Sequence, residues 1–259
     1  MTDLSHLANI VDQLIESASH ADQKKYYLDH RIRYIYTLRE LHSCLSKHRF
    51  LEIGSSGFFL KALKGLNEKM EVYGTSYAEF PGFEKKIAPF DTAEEFGFFL
   101  GNAEKHQYQV EPGYFDLVLC AEVIEHMTVD PMGFLSELNR VLDVDGLLLI
   151  TTPNIVSSRS IFRALNQEMP YNYHNFNKQH IADRHNIEYS PKLLSALLYS
   201  AGFEVLSTVT ENVWSLPDKK MEEIYKLFGF DSNLRGDDIF MLAKKVSDVK
   251  DRYPSCLYD

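Results

Sequence analysis

Apolar residues recur at helical spacing through the first 48 residues. Leu7, Ile10, Val11, Leu14 and Ile15 form one stripe, and Tyr27, Arg31, Tyr34 and Leu38 form a second. Neither Gly nor Pro interrupts this stretch, so the pattern predicts a helical amino-terminal cap over 1–48. From residue 49 the period changes. Phe50–Ile53, Glu71–Gly74, Phe115–Cys120 and Leu147–Thr151 are short apolar runs bounded by Gly or turn residues, with helical candidates at about 58–66 and 131–142 between them. Strands alternating with helices predict an α/β fold with a mostly parallel sheet covered on both faces. Residues 156–190 break the pattern. They are polar and aromatic, contain His174, His180 and His185, and are long for a plain connection, which predicts a lid or binding segment. Ser190 and Pro191 then open a helix running to about Ala201, Gly202 ends it, and strands are expected at Phe203–Thr208 and Ile239–Ala243. Residues 49–259 therefore read as one domain with an insertion at about 156–190.

Composition removes several classes of function. The longest apolar stretches, such as Gly146–Ile150, fall far short of the roughly 18 residues of a membrane span. No basic and then apolar leader is evident at the amino terminus, so the reading is a cytoplasmic protein without a membrane span. Cys44, Cys120 and Cys256 lie far apart, with neither metal-ligand spacing nor a disulfide framework. Acidic residues outnumber basic ones 37 to 27, a formal net charge of −10 that repels nucleic acid unless a local basic patch overrides it.

Leu51-Glu-Ile-Gly-Ser-Ser-Gly57 stands where the first strand turns into the first helix of the α/β region. Glycines there let the backbone approach a ligand closely, and a helix amino terminus follows. The spacing is not the G-x-G-x-x-G of a dinucleotide fold. Glu52, two residues before the first glycine, suits the ammonium group of a sulfonium nucleoside. Three more segments follow in order: Gly101-Asn-Ala-Glu104, Tyr114 through Glu122-Val-Ile-Glu-His126, and Leu138 through Gly146 to Thr151-Thr-Pro-Asn154. Together these resemble the class I S-adenosylmethionine-dependent methyltransferases over roughly residues 49–245. The resemblance implies a Rossmann-like, seven-stranded, mostly parallel sheet with helices on both faces. It implies S-adenosylmethionine as cofactor, met by Glu52, Gly54, Ser55, Gly57, Ser76, Asn102, Ala103 and Ala121. Two departures stand out. The glycine loop is one residue short of the family's usual length, and Ser76 stands where the family places an acid on the ribose hydroxyls, with Glu79 as a substitute. Either departure predicts weaker cofactor binding or a reshaped ribose pocket.

Methyl transfer is a one-step displacement that aligns the acceptor and, for a hydroxyl, removes a proton. Glu122, Glu125 and His126 follow the fourth predicted strand at spacings that, on a helix, bring Glu122 near the other two. Two readings stay open. In one, Glu122 or His126 is a general base, with His185 as a further catalytic group. In the other, Glu122, Glu125, His126 and His185 hold a divalent metal ion with open positions for acceptor hydroxyls. The E-x-x-E-H segment, with Arg184-His-Asn-Ile-Glu-Tyr-Ser190, is similar to that of small-RNA 3′-terminal 2′-O-methyltransferases. Glu-Val-Ile-Glu-His is also similar to metal-free small-molecule O-methyltransferases, in which Glu188 and Tyr189 cap and pack the next helix. His174 and His180 read as solvated loop groups. The Tyr26, Tyr27, His30, Arg31 and Tyr34 stripe reads as packing on the domain, while Arg31, Arg33 and Arg39 offer guanidinium forks for an acceptor phosphate.

The arrangement as a whole looks most like bacterial polysaccharide and sugar O-methyltransferases, which implies a small-molecule or glycan acceptor: a sugar, sugar phosphate or nucleotide-linked sugar. The alternatives are an RNA 3′-terminal 2′-O-methyltransferase, against which the net charge counts, and a non-catalytic partner subunit that keeps the fold.

Overall fold

The computed structural model describes residues 4–76, 84–89, 95–102, 104, 107–171, 175–176, 184–216 and 219–259. Three helices open the chain: α1 (Leu4–Glu16), α2 (Ala21–Asp29) and α3 (Arg31–His42). Strands and helices then alternate: β1 (Arg49–Ile53), α4 (Phe58–Leu66), β2 (Glu71–Ser76), β3 (Glu84–Pro89), β4 (Glu95–Leu100), β5 (Phe115–Ala121), α5 (Pro131–Val141), β6 (Leu142–Pro153), α6 (Ser158–Leu165), α7 (Pro191–Ser200), β7 (Phe203–Glu211), α8 (Lys219–Phe228) and β8 (Asp238–Lys245). The sheet runs β3-β4-β2-β1-β5-β6-β8-β7. Pairing is parallel from β4 through β2, β1 and β5 to β6, and antiparallel where β8 meets β6 and β7. The expected Rossmann-like, mostly parallel sheet is therefore present as the seven strands from β4 to β7. An eighth, β3, is added antiparallel on the outer edge of β4.

Alternation along the strands divides the core in two. On β5, Val118 and Cys120 face one layer with α5 and α7, whereas Leu117 and Leu119 face the other with α4 and the amino-terminal helices. β6 repeats the division, with Leu148 and Ile150 on the first side and Leu149 on the second. The amino-terminal stripe read from the sequence is buried in this second layer, where Leu7, Val11, Ile15, Tyr27, Tyr34 and Leu38 join Phe50, Phe58 and Phe59.

Local chemistry sets the helix starts. Asp130 accepts from the Gly133 N–H to cap α5, Ser157 caps α6 through the Ser160 N–H, and Ser190 caps α7 through the Leu193 N–H, with Pro191 in its first turn. α6 corrects the reading of 156–190 as wholly aperiodic: a capped, two-turn helix forms at its start. Much of the rest of that segment, including His174 and His180, lies outside the described residues. Asp130 also binds the end of the chain, pairing with the Arg252 guanidinium and accepting from the Tyr258 hydroxyl at 2.7 Å. No helix is long and apolar enough to cross a membrane among the described residues.

Candidate active site at the carboxyl rim of the sheet

Because β1, β2, β4, β5 and β6 are parallel, Ile53, Ser76, Leu100, Ala121 and Pro153 end on one rim. Ligands of open α/β sheets bind in the crevice outside such a rim. The residues expected to meet the cofactor stand along it, on the loops after β1, β2, β4 and β5. Ala103 and Glu79 lie outside the described residues.

The short glycine loop is a tight, internally bonded turn. Gly54 and Gly57 have φ of 64° and 84°, which glycine adopts at little cost. Thr75 on β2 pins the turn: its side-chain oxygen accepts from the Gly54 N–H at 2.9 Å, and its carbonyl from the Ser55 N–H at 2.7 Å. Ser55 donates its hydroxyl to Glu52 at 2.6 Å and accepts from the Gly57 N–H at 2.9 Å. Gly74 lets β2 approach closely, since a Cβ there would meet the Phe98 ring at 2.6 Å and Ser55 Cβ at 2.9 Å. Burial raises the Glu52 carboxyl from 4.5 to about 7, against the opposing hydrogen bond from Ser55. An ammonium group beside it would restore its charge. The hydroxyl of Tyr27 donates to the Ser56 carbonyl at 3.0 Å, tying α2 to this loop. Asn102 caps its own turn by accepting from the Glu104 N–H at 2.9 Å.

After β5 the chain does not continue as a helix. Glu122 has φ of +54°, a left-handed conformation unusual for a side-chain-bearing residue, and only a single 3-10 turn follows, over Ile124–His126. That backbone reversal separates the four predicted metal ligands. Glu125 Oε1 lies 3.9 Å from His126 Nε2 and 4.0 Å from His185 Nε2, and the three ligand atoms all lie within 4.8 Å of one another. Glu122 is not one of that group, although it lies close enough to raise the Glu125 carboxyl. One of the Glu122 oxygens accepts from the Thr151 hydroxyl at 2.8 Å, and the other faces Arg33 of α3 at 3.3 Å. Of the four residues read as one cluster, three converge here, because the spacing that brought Glu122 to the others belongs to an α-helix and the chain makes only a 3-10 turn.

The triad is held from behind. Thr152 donates to Glu125 Oε2 at 2.9 Å, which leaves the fully buried Oε1 without a hydrogen-bond partner. His185 Nδ1 pairs with Glu188 at 2.8 Å, and His126 Nδ1 lies 3.1 Å from the Arg184 carbonyl. Engaging Nδ1 turns each Nε2 toward the carboxylate, the arrangement that orients imidazole ligands of metal ions. Two nitrogens and one oxygen suit Mn, Co or Zn better than Mg. The present spacing is wider, by about 1 Å, than the roughly 3 Å between neighbouring ligands on bonds of about 2.1 Å. The residues thus fit a divalent ion.

Electrostatics around the triad are acidic. Burial, followed by the neighbouring Glu122, pushes the carboxyls of Glu125 and Asp238 well above the usual range. Arg33 is the cation set among them. Its burial opposes its charge, but Glu122 holds it protonated, and its guanidinium also stacks 5.4 Å from the Trp214 ring. Burial and then Arg33 lower His30, which meets the same Trp214 edge-on, to about 4. Arg31 is spent on Asp12, and Arg39 on Glu40 and Glu211, so Arg33 alone of the three arginines singled out reaches the catalytic rim. Sequence reasoning missed Thr75, Thr151 and Thr152, whose hydroxyls set the loop and both carboxylates, and the role of Glu188 behind His185. Thr151 ends a predicted strand and Thr152 directly follows it, which is the one local sign of them.

The fold has many relatives. A Thermotoga maritima methyltransferase described as a possible histamine N-methyltransferase is 20% identical with a TM-score of 0.54, over 92% of this chain and 99% of that one. An Archaeoglobus fulgidus SAM-dependent methyltransferase is 18% identical with a TM-score of 0.53, over 81% and 93%. The Burkholderia thailandensis 1,6-didemethyltoxoflavin-N1-methyltransferase, solved with S-adenosylhomocysteine, is 15% identical with a TM-score of 0.53, over 95% and 92%. No curated protein matches the sequence significantly. The sequence profile of the methyltransferase domain matches residues 21–208, from α2 into β7 and through every rim loop described above. The chain belongs to that family and is a class I S-adenosylmethionine-dependent methyltransferase.

Proposed function

We propose that this enzyme methylates a hydroxyl of a carbohydrate acceptor (a sugar, sugar phosphate or nucleotide-linked sugar), with a divalent ion held by Glu125, His126 and His185. The observation that carries the reading is the triad itself, with Glu125 and His185 buried and His126 half-buried. One carboxylate oxygen without a hydrogen-bond partner converges with two imidazoles whose far nitrogens are engaged, on the rim where the cofactor loop lies. The ion, when bound, supplies a Lewis acid that draws electron density from an acceptor oxygen and eases loss of its proton. The cofactor supplies an electrophilic methyl group on sulfonium. Glu52, Gly54, Ser55 and Gly57 receive its amino-acid end, with Ser76 and Asn102 along the nucleoside and Ala121 beneath it. Glu122, braced by Thr151 and Arg33, accepts the acceptor's proton as the carbon–sulfur bond breaks and the carbon–oxygen bond forms. The cytoplasm is the compartment proposed, supported by three cysteines that are all free.

The test is metal content and transfer measured together. Metal-stripped enzyme should bind about one Mn, Co or Zn per chain, and His185→Ala should lose most of that affinity. Transfer of labelled methyl to a panel of nucleotide-linked sugars should vanish with chelator and return with the ion. Full activity in chelator would refute the metal. Methylation of short RNA ends in place of sugars would move the acceptor to a terminal ribose, the alternative that shares this triad.

A further inference from the structure

A second concave site lies on the same rim, beyond the end of β6. It is a cavity of about 830 Å³ between α6, α8 and the segment leading into β8. That volume suits a small-molecule ligand. Its ionisable lining runs against the charge of the whole protein: Arg159, Arg163, Lys226 and Arg235 stand around it, with Glu222 the one acid. Two of these cations are without internal compensation among the described residues. Arg159 and Lys226 make no hydrogen bond or ion pair among the described residues. Arg235 is positioned but not neutralised, since its guanidinium donates to the Val156 and Asp231 carbonyls and lies 5.1 Å over the Tyr225 ring. Arg163 is shared with Glu168 at 3.6 Å. The other component of the wall is aromatic. Phe162 is 40% exposed and Phe230 is 59% exposed, both lining the cavity, and Phe230 is held in a stack with Phe228 at 5.8 Å.

Guanidinium and ammonium groups that lack partners attract phosphate oxygens, and an exposed ring edge or face beside them offers a stacking surface. We infer that this cavity binds a nucleoside diphosphate, its phosphates on Arg159, Lys226 and Arg235 and its base against Phe162 and Phe230. The cavity adjoins the catalytic rim through one short piece of chain. Thr152 bonds Glu125 of the triad, and two residues later the Asn154 amide donates to the carbonyls of Leu234 and Gly236 in the cavity wall. A ligand held here by its diphosphate would thus sit next to the carboxyl end of β6, where Thr152 and Asn154 link the cavity wall to the triad. That the diphosphate is the handle of the methyl acceptor rests on the carbohydrate reading above; the binding site itself does not.

The experiment is calorimetric titration of UDP into the full chain saturated with S-adenosylhomocysteine, so that the cofactor site is closed to the probe. UDP should bind with a Kd below about 1 mM. The Arg159→Ala, Lys226→Ala double variant should bind it at least about tenfold more weakly, with unchanged melting temperature because neither side chain has a partner among the described residues. Phe230→Ala should weaken UDP but leave inorganic pyrophosphate unchanged. No UDP binding, equal affinity for UDP and pyrophosphate, or indifference to the double variant would each overturn the inference. None of these outcomes bears on metal content or chelator sensitivity, so the two readings fail separately.

Discussion

Glu52→Gln separates what the glycine loop does for the fold from what it does for the cofactor. Burial lifts the Glu52 carboxyl from 4.5 to about 7. A carboxyl whose folded value is raised binds its proton more tightly in the native state, so stability is highest below 4.5 and falls as pH rises toward 7. A shift of that size corresponds to about 3 kcal/mol at about 1.4 kcal/mol per unit. Glutamine carries no charge, and its amide oxygen still accepts from the Ser55 hydroxyl that now bonds Glu52 at 2.6 Å. The variant should therefore match the parent near pH 4 and exceed it by about 3 kcal/mol above pH 8, or about 6–12 °C in Tm for a chain of this size. Urea unfolding of both proteins from pH 4 to 8.5 measures this, and taking the difference between them cancels every other titrating group. The same change should weaken S-adenosylhomocysteine binding by about 10- to 100-fold, through loss of a charge-assisted hydrogen bond to its ammonium group. A stability difference that stays flat with pH would mean that Glu52 is ionised in the free protein. Unchanged cofactor affinity would mean that the ammonium group lies elsewhere.

Three further perturbations address other parts of the molecule. Gly74→Ala forces a methyl group onto the Phe98 ring and Ser55, and should cost about 1–3 kcal/mol and loosen the cofactor loop, read by denaturant unfolding and by calorimetry with S-adenosylhomocysteine. Glu188→Gln keeps the shape behind His185 but weakens its orientation, so metal affinity should fall about 10- to 100-fold while Tm of the metal-free protein changes little. Asp130 is held down to about 2, first by the Arg252 guanidinium, so its contribution is present above about 4 and disappears as pH falls through 2. Asp130→Asn should accordingly remove about 1 kcal/mol of stability at pH 7 and flatten the acid limb of the unfolding curve, the figure being reduced for partial exposure.

The parts of this enzyme that are legible in its sequence are those fixed by local rules. Short apolar runs bounded by turn residues identify β1, β5 and β6, which are buried on both faces, and Ser or Asp before Pro marks the starts of α5 and α7. The glycine loop reveals itself because Gly54 and Gly57 both need φ values that other residues avoid. β3 and β4 are absent from the predicted strands: β3 is a polar edge, Glu84–Pro89, that becomes a strand through its pairing with β4. The site is legible as a set of residue types, and its partition is not. Glu125, His126 and His185 converge, but Glu122 leaves them through a single backbone angle that no spacing rule encodes. Arg33 of α3 meets Glu122 at the end of β5, far later in the chain, and only docking of the helix on the assembled sheet creates that meeting.

The pairings of α3 also bear on the order in which the chain folds. Arg33 meets Glu122 and Trp214, and Arg39 meets Glu211, so the first helices complete their contacts with groups translated far later. Contacts this distant in sequence close only after much loop entropy has been lost, and are slow to form. Leu7, Val11 and Tyr34, by contrast, find their shelter much nearer in sequence, against Phe50, Phe58 and Phe59, so the apolar stripe does not depend on those distant ion pairs. During synthesis the amino-terminal helices emerge first, and the contacts of Arg33 with Glu122 and Trp214 and of Arg39 with Glu211 are the last they can complete.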